Sequence, residues 1–251
     1  MKRLLWFGLM FFQVCCVQAQ DERENPKLAA QKDYQFTKEA SGGLKIQTSG
    51  FSLYAEFGWI KNIYRTHLLQ AEYQYNIDYR EKLTKSFLQS GRSYRFGLQN
   101  RFHIIRFSYG FESAIADKAA RNGVRLSWVA FGGVSLGLLK PYYLVLDYPD
   151  VPDGKAEKYS EANKDVFLNK TRIIEAAPFY KGIGEMKPIV GGHLKAGLNF
   201  DWGSRDAFVK AIEAGIQADL YYKKVPIMVD DNANQFFMFG FYLGIHLGKR
   251  W

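Results

Sequence analysis

The charged residues of this chain that could do chemistry recur at every second position, with apolar residues between them. Glu56, for example, lies between Ala55 and Phe57. Successive side chains of a strand point to opposite faces, so this spacing collects the charges on one face. That face carries Glu56, Glu72, Arg95, Arg106, Glu112, Arg125, Lys195, Asp201, Glu213 and Asp219. Because a buried unpaired charge is costly, we expect the two signs to pair as an interior charge network.

The histidines are the other residues with catalytic potential, and they are His67, His103, His193 and His246. A histidine beside serine and aspartate at an outer-loop rim could carry out acyl transfer. The chain contains no H-x-x-x-H, and its glycine pairs lack the lysine and helix of a phosphate loop. His246 shares the parity of the charges and is predicted to be a hydrogen-bonded interior residue. We therefore expect no catalytic residue, cofactor or metal, with an acyl-transfer enzyme as a remote alternative.

The element that positions these residues most clearly is the final stretch, Asn234–Trp251. Its apolar residues share one parity, which predicts a strand rather than a helix. A transmembrane barrel strand needs about 9–11 tilted residues with alternating faces, and this stretch is long enough. A long edge strand of a soluble sandwich is the alternative, but such an edge would aggregate unless covered. Phe241, Leu243, Ile245, Leu247 and Trp251 are predicted to form the C-terminal strand that the barrel assembly machinery contacts.

The same alternation recurs along the chain and predicts the fold. From Phe51 onward it predicts nine strands, including short ones at 93–98 and 142–148. A bacterial barrel with both ends in the periplasm needs an even number, so a further strand is expected within Tyr34–Gln47. The predicted fold is therefore all-β, a single antiparallel transmembrane up-and-down barrel of ten strands. Eight strands is the alternative, if two of the short strands lie in loops.

Connection lengths predict which side of the membrane each loop occupies, because outer-membrane barrels have short periplasmic turns and longer outer loops. The short connections, expected in the periplasm, are 61–66, 99–100, 140–141 and 203–206. The outer ones are 79–90, 114–121, 149–187 and 223–233. The loop 149–187 is the longest irregular stretch. Loops of this length are usually functional, so its Pro178, Phe179 and Tyr180 are candidate contacts for a partner protein.

The front of the chain has the features of a secretory signal peptide over residues 1–19. Lys2 and Arg3 precede the apolar stretch Leu4–Val17, and Val17-Gln18-Ala19 fits a cleavage site. Residues 20–40 are then a periplasmic lead-in, and 41–251 form the barrel. The cysteine pair 15–16 raises a lipoprotein alternative, but the preceding residues lack a lipobox. Cleavage would remove both cysteines and leave a mature chain without disulfides.

Composition also favours a barrel in the bacterial outer membrane. The formal net charge is +9, 47% of residues are hydrophobic and 16% are aromatic. Beyond the signal no apolar run reaches the roughly 18 residues that a transmembrane helix needs. The basic residues are scattered rather than clustered, and an exported protein does not meet nucleic acid, so no nucleic-acid partner is expected.

Several sequence blocks resemble a group of uncharacterised small outer-membrane barrel proteins of Bacteroidota. They are Leu136-Gly137-Leu138-Leu139-Lys140-Pro141-Tyr142-Tyr143, Ala177-Pro178-Phe179-Tyr180-Lys181-Gly182, Lys224-Val225-Pro226-Ile227-Met228 and Gly248-Lys249-Arg250-Trp251. The resemblance implies a Gram-negative outer-membrane barrel that is exported by the Sec route. It implies no activity.

Two functions remain for such a barrel. One is a structural or accessory subunit of an envelope machine for secretion or outer-membrane protein assembly. The other is a small passive or ligand-selective pore. An interior of eight strands is just wide enough for side chains to fill, which disfavours the pore. The long outer loop favours the subunit, whose partners would be outer-membrane lipid, the barrel assembly machinery and an envelope protein.

The alternation predicts that the protein fractionates with the outer membrane and changes electrophoretic mobility on boiling. A closed barrel with all backbone groups hydrogen-bonded resists detergent until it is heated. Recovery in the soluble periplasmic fraction without detergent would contradict this prediction.

Overall fold

The computed structural model describes residues 36–62, 64–86, 91–116, 123–203, 207–229 and 234–251. The predicted signal peptide and most of the predicted lead-in lie outside the described residues. No helix in the described part is both long and apolar enough to cross a membrane.

Among the described residues the regular structure comprises thirteen strands, one short α-helix and three 3-10 turns. The strands are β1 Lys38–Gln47, β2 Gly50–Asn62, β3 Arg65–Asn76, β4 Lys82–Thr84, β5 Tyr94–Phe96, β6 Asn100–Ala116, β7 Arg125–Pro141, β8 Tyr143–Tyr148, β9 Val151–Lys158, β10 Ile173–Ala176, β11 Lys187–Asp201, β12 Phe208–Tyr221 and β13 Phe237–Arg250; the helix is α1 Lys164–Phe167. Eight of the strands close an antiparallel barrel in the order β1-β13-β12-β11-β7-β6-β3-β2. β1 completes the ring by pairing with β13 on one side and β2 on the other.

The barrel therefore has eight strands, the alternative, and not ten. The further strand expected within Tyr34–Gln47 is present as β1. The predicted strands at 93–98 and 142–148 are instead β5, which pairs with β4, and β8, which pairs with β9 and β10. Both are too short to span a bilayer, which takes about 9–11 residues. They alternate because one face packs into an apolar core at the outer mouth of the barrel, which includes Tyr94 and Leu144.

Losing two wall strands changes the predicted sides of several connections. We call the edge where β1 begins and β13 ends the inner edge, and the opposite edge the outer edge. Segments 99–100 and 140–141, predicted in the periplasm, lie at the outer ends of β6 and β7. Segment 114–121, predicted outside, joins β6 to β7 at the inner edge. Each strand that is not part of the wall reverses the side of the membrane predicted for the connections beside it.

The prediction that the long loop 149–187 is irregular was also wrong. Residues 149–187 contain β9, α1 and β10, and β8, β9 and β10 form a three-stranded sheet. Leu144, Leu146, Phe167 and Ile173 are at most 1% exposed beneath it. We call the described parts of 77–99, 142–186 and 222–236 the outer cap.

The core of the outer cap is continuous with the outer mouth of the barrel. Phe102, Ile104 and Tyr221 on the barrel strands belong to the same buried apolar cluster as Leu144 and Val225 of the cap. Burial of apolar area is the main stabilising term available to such loops. The cap is therefore held over the mouth as a packed apolar layer.

The outer face of the wall is apolar and exposed. On β13 this face comprises Phe237, Phe239, Phe241, Leu243, Ile245 and Leu247, each between 47% and 61% exposed. Trp59, Trp128, Trp202 and Trp251 are exposed near the inner edge. An apolar band flanked by aromatic residues around a closed wall is the surface of a membrane-spanning barrel. The protein is an outer-membrane β-barrel.

The outward face predicts a depth-dependent response to charge. Leu198 lies four residues, roughly 10 Å along a tilted strand, from Trp202, whereas Leu220 lies at the outer end of β12. Leu198→Arg should lower the free energy of unfolding by about 2–4 kcal/mol, and Leu220→Arg by about 0–1 kcal/mol. Urea titration of both variants refolded into the same vesicles measures the difference. Equal costs would show that Leu198 does not face the bilayer centre.

Candidate functional site

The interior of the barrel is filled at mid-height by one buried side chain from every wall strand. These are Lys45, Glu56, Glu72, Arg106, Phe131, Lys195, Glu213 and Tyr242, each at most 5% exposed. Each of these residues lies at an inward-facing position of its strand, as the alternation predicts. Side chains so buried leave no room for a water column at this level.

Arg106 on β6 is the centre of the larger group of ion pairs. Its Nη1 donates to Glu72 Oε1 at 2.8 Å and its Nε donates to Asp219 Oδ1 at 3.0 Å. Lys45 Nζ donates to the other oxygen of Glu72 at 2.8 Å. His193 Nδ1 lies 3.0 Å from Asp219 Oδ1. Each carboxylate thus has two partners, which is what a buried charge requires to offset its desolvation.

Lys195 on β11 organises a second group. Its Nζ donates to Glu213 at 2.9 Å, lies 4.0 Å from Glu56, and sits 4.0 Å from the ring centroid of Phe131. Space for the neighbouring Tyr242 ring comes from a glycine, because a Cβ at Gly197 would lie 2.3 Å from the Tyr242 hydroxyl oxygen. The Tyr242 ring and the Lys195 ammonium group therefore fill this part of the interior.

His246 links the second group to β1 and β2. Its Nε2 lies 2.8 Å from Ser41 Oγ and 3.2 Å from Glu56 Oε2, and its Nδ1 lies 3.0 Å from the Tyr54 hydroxyl. This matches the predicted hydrogen-bonded interior role. A serine next to a histidine is also the first part of an acyl-transfer site. His246 is 3% exposed, however, so a substrate would have to displace the packed interior to reach it.

The same region offers three potential metal ligands. Ligand atoms of Glu56, Glu213 and His246 lie within 4.8 Å of one another, and all three residues are buried. The Lys195 ammonium already occupies the neighbourhood of both carboxylates. A divalent cation there would sit beside a buried positive charge, so the arrangement suits an ion-pair network better than a metal centre.

A smaller charged group lies near the inner edge. Arg250 Nε donates to Glu39 at 2.7 Å, and its Nη2 lies 3.4 Å from Asp201. Arg125 on β7 stands directly opposite Asp201 in the strand register. Ser127 donates a hydrogen bond to Glu112 on the neighbouring strand. Charges of both signs therefore line the inner part of the barrel as well.

One residue of the predicted network is misplaced. Arg95 lies on β5 in the outer cap, where it forms an ion pair with Glu81, and it does not reach the interior. The short β5 copies the alternation of a wall strand without being one. The other predicted network residues all lie on inward positions of wall strands. Sequence reasoning missed Lys45, Glu39 and Arg250, because it did not assign which side chains of β1 and of the last residues face inward. The pairing of β1 with β13 places these three residues among the inward positions.

The predicted partner-contact residues lie in a turn of the outer cap. Phe179 and Tyr180 are 62% and 70% exposed, and Pro178 is partly buried. Lys140 at the outer end of β7 donates to the Phe179 carbonyl, with its ammonium 3.4 Å from the ring centroid. This contact fixes the turn against the barrel wall while leaving the rings exposed.

Partly buried carboxylates hold other parts of the cap in place. A hydrogen bond from Lys155, with one from Asn163, lowers the pKa of Glu157 to about 2. The backbone N–H of Arg92 lowers the pKa of Glu175. Depressed values mean that these contacts stabilise the cap above the ordinary carboxyl pKa and are lost as pH falls through the folded-state pKa. Because both are near the surface, each contribution is small.

No protein-family model matches the chain, and no curated protein matches it significantly. Among solved structures the chain is similar to Neisserial surface protein A, at 10% identity over 85% of this chain and 95% of that chain, with a TM-score of 0.40. It is similar to Ail of Yersinia pestis at 10% identity, over 85% and 97% of the two chains, with a TM-score of 0.42. It is similar to the N-terminal β-barrel domain of Pseudomonas aeruginosa OprF at 6% identity, over 86% of this chain and 98% of that chain, with a TM-score of 0.38. Likenesses of this strength carry no argument about what this chain binds or does.

Removing the central cation should be strongly destabilising. Arg106→Met leaves Asp219 and Glu72 short of a partner, and breaking such a buried pair typically costs about 3–5 kcal/mol. Urea unfolding of the refolded variant in lipid vesicles measures the loss.

The matched control is the double variant Arg106→Met/Asp219→Asn, which also removes the carboxylate that depends most on Arg106. It should recover part of the lost stability. A single variant as stable as the parent, or a double variant no better than the single, would show that Arg106 is not the buried partner of Asp219.

Proposed function

We propose that this outer-membrane barrel is a non-conducting accessory subunit of an envelope machine for secretion or outer-membrane protein assembly. The observation that carries the proposal is the filled interior under a folded outer cap. A barrel that encloses no passage has its remaining functional surfaces outside the wall.

The pore alternative is less well supported. Lys45 and Arg106 both contact Glu72 in the interior, and all three side chains are at most 1% exposed. Above them the apolar layer of the outer cap covers the mouth. A conducting pathway would need both layers to move and would leave several charges without partners, which is costly.

The outer cap supports a binding role. Hydrogen bonds from Lys140 to the Phe179 carbonyl and from the Ala177 N–H to the Tyr143 carbonyl hold the turn 177–182 in place. Phe179 and Tyr180 are therefore presented without a large ordering cost on binding. Aromatic side chains on a rigid support are typical of interface hot spots. The C-terminal strand, with Phe241, Leu243 and Ile245 facing lipid, is proposed to contact the barrel assembly machinery during insertion.

An enzymatic role is disfavoured. The one serine-histidine pair named above is enclosed by the interior charge network. Catalysis needs room for a substrate beside the nucleophile. The accessory role requires no such space.

The filled interior predicts very low conductance. Purified protein in planar bilayers should show little steady current, whereas a known porin reconstituted in parallel should conduct. Large and stable open-channel currents from the unmutated protein would reverse the ranking and favour the pore.

The partner surface predicts a selective loss of binding. We expect an envelope protein to co-purify with the tagged chain from native membranes, and the double variant Phe179→Ser/Tyr180→Ser to lose it by roughly tenfold or more, as for hot-spot aromatics. Tyr64→Ser, an exposed tyrosine near the inner edge, is the matched control and should retain the partner. Equal recovery with both variants would exclude this turn as the contact.

A further inference from the structure

The outer surface of the wall carries positive charge along part of the inner edge. Five exposed basic residues lie at or near the inner ends of the neighbouring strands β12, β13, β1, β2 and β3. They are Lys210, Lys249, Lys38, Lys61 and Arg65. We call them the basic band.

The strand register joins the basic band into one continuous row. On β13, Lys249 lies two residues from the partner of Lys210, and on β1, Lys38 lies two residues from the partner of Lys249. On β2, Lys61 lies two residues from the partner of Lys38, and Arg65 on β3 stands opposite the residue after Lys61. Diagonal neighbours of this kind are about 7–8 Å apart, within reach of long side chains.

The described part of the wall places no acidic side chain on the outer face beside the basic band. The carboxylates near the inner edge point into the barrel and are at most 6% exposed, and they belong to Glu39, Glu112 and Asp201. Lys38, Lys210 and Lys249 form no ion pair with any described residue. Neighbouring like charges repel one another, so a negatively charged group outside the wall would stabilise the row.

The positive charge is confined to one side of the barrel. On the other side, the outward positions at the inner ends of β6, β7 and β11 carry no charged residue within the described ranges. Ile115, Trp128 and Trp202 are 57%, 38% and 41% exposed there. The same edge is therefore basic over five strands and uncharged over three.

The position of the basic band fits a lipid head group better than a soluble protein. Leu247 stands directly opposite Lys210, and Trp59 directly opposite Lys38, and both belong to the lipid-facing surface. Lysines so placed keep their stems against acyl chains and carry the ammonium group to the level of the phosphates. A soluble acidic protein would have to enter the head-group layer to reach them.

We propose that the basic band binds anionic phospholipids, whose phosphates lie among the basic side chains while their acyl chains rest on the neighbouring lipid-facing wall. Anionic lipid is therefore enriched around β12, β13, β1, β2 and β3 and not around β6, β7 and β11. This surface is independent of the accessory role proposed above, since it uses the inner edge of the wall and not the partner turn.

The tryptophans at the inner edge allow this asymmetry to be measured. Trp59 and Trp251 lie on the basic side, where they are 40% and 48% exposed. Trp128 and Trp202 lie on the uncharged side with similar exposures of 38% and 41%. Two variants of the full-length chain each keep one pair and replace the other pair, together with Trp6, by phenylalanine.

Both variants are refolded into phosphatidylcholine vesicles that contain a small fraction of phosphatidylglycerol with a spin label on its acyl chain near the head group. Fluorescence quenching is divided by that given by phosphatidylcholine with the same label, which corrects for differences in depth. The ratio should be at least about twofold higher for the Trp59/Trp251 pair, because each basic residue near the surface attracts anionic lipid. High salt should reduce the excess.

Charge variants in the Trp59/Trp251 background test the basic band itself. Lys210→Gln/Lys249→Gln should remove at least about half of the excess quenching, since it removes two of the five charges. Lys210→Arg/Lys249→Arg keeps the charge and should keep the excess. The matched control is Lys164→Gln/Lys170→Gln, which removes two exposed lysines of the outer cap, and it should also keep the excess.

The change in electrophoretic mobility on boiling shows which variants are folded, and Lys38→Gln/Lys61→Gln replaces Lys210→Gln/Lys249→Gln if the latter does not fold. Equal ratios for the two tryptophan pairs would overturn the proposal. So would an excess that the glutamine variants of the basic band leave intact, or one that Lys164→Gln/Lys170→Gln removes equally. Equal ratios together with an acidic protein that co-purifies only when the basic band is intact would assign the band to that protein instead.

Discussion

The pairing of charges inside a narrow barrel is the constraint on which the rest of this structure depends. Eight strands enclose a space that side chains can fill, and here most of the filling side chains are charged. Each ion loses its hydration on burial and is tolerated only beside a partner. Arg106, Lys45 and Lys195 must therefore meet Glu72, Asp219 and Glu213 from strands distant in sequence. The register that closes the barrel and the pairing of the charges require each other.

The outer cap follows from the same constraint. Above the ion pairs β6 and β12 carry apolar inward side chains, and Phe102, Ile104 and Tyr221 would be exposed at the mouth if nothing covered them. The cap covers them with Leu144, Val225 and their neighbours. A rigid cap then becomes a surface that can be presented to a partner.

The sequence predicted the fold class and the facing of the long strands because a period of two is local and needs no tertiary information. Strand number was less predictable. β5 and β8 alternate like wall strands because each buries one face in the cap, and only their length separates them from the wall. The order in 149–187 depends on contacts between distant segments, such as Phe167 with β8, which periodicity does not report. Lys45 and Arg250 could be assigned to the charged interior only from the pairing of β1 with β13.

The central claim is that the interior is closed by paired charges and not by water. Hydrogen exchange at the Arg106 Nε–H, followed by NMR in refolded protein, tests it most directly, because this proton is donated to Asp219 Oδ1 at 3.0 Å. The account predicts a distinct signal that exchanges far more slowly than that of an exposed surface arginine such as Arg92. Exchange of the Arg106 proton as fast as that of Arg92 would show that water reaches the centre of the barrel and would contradict the account.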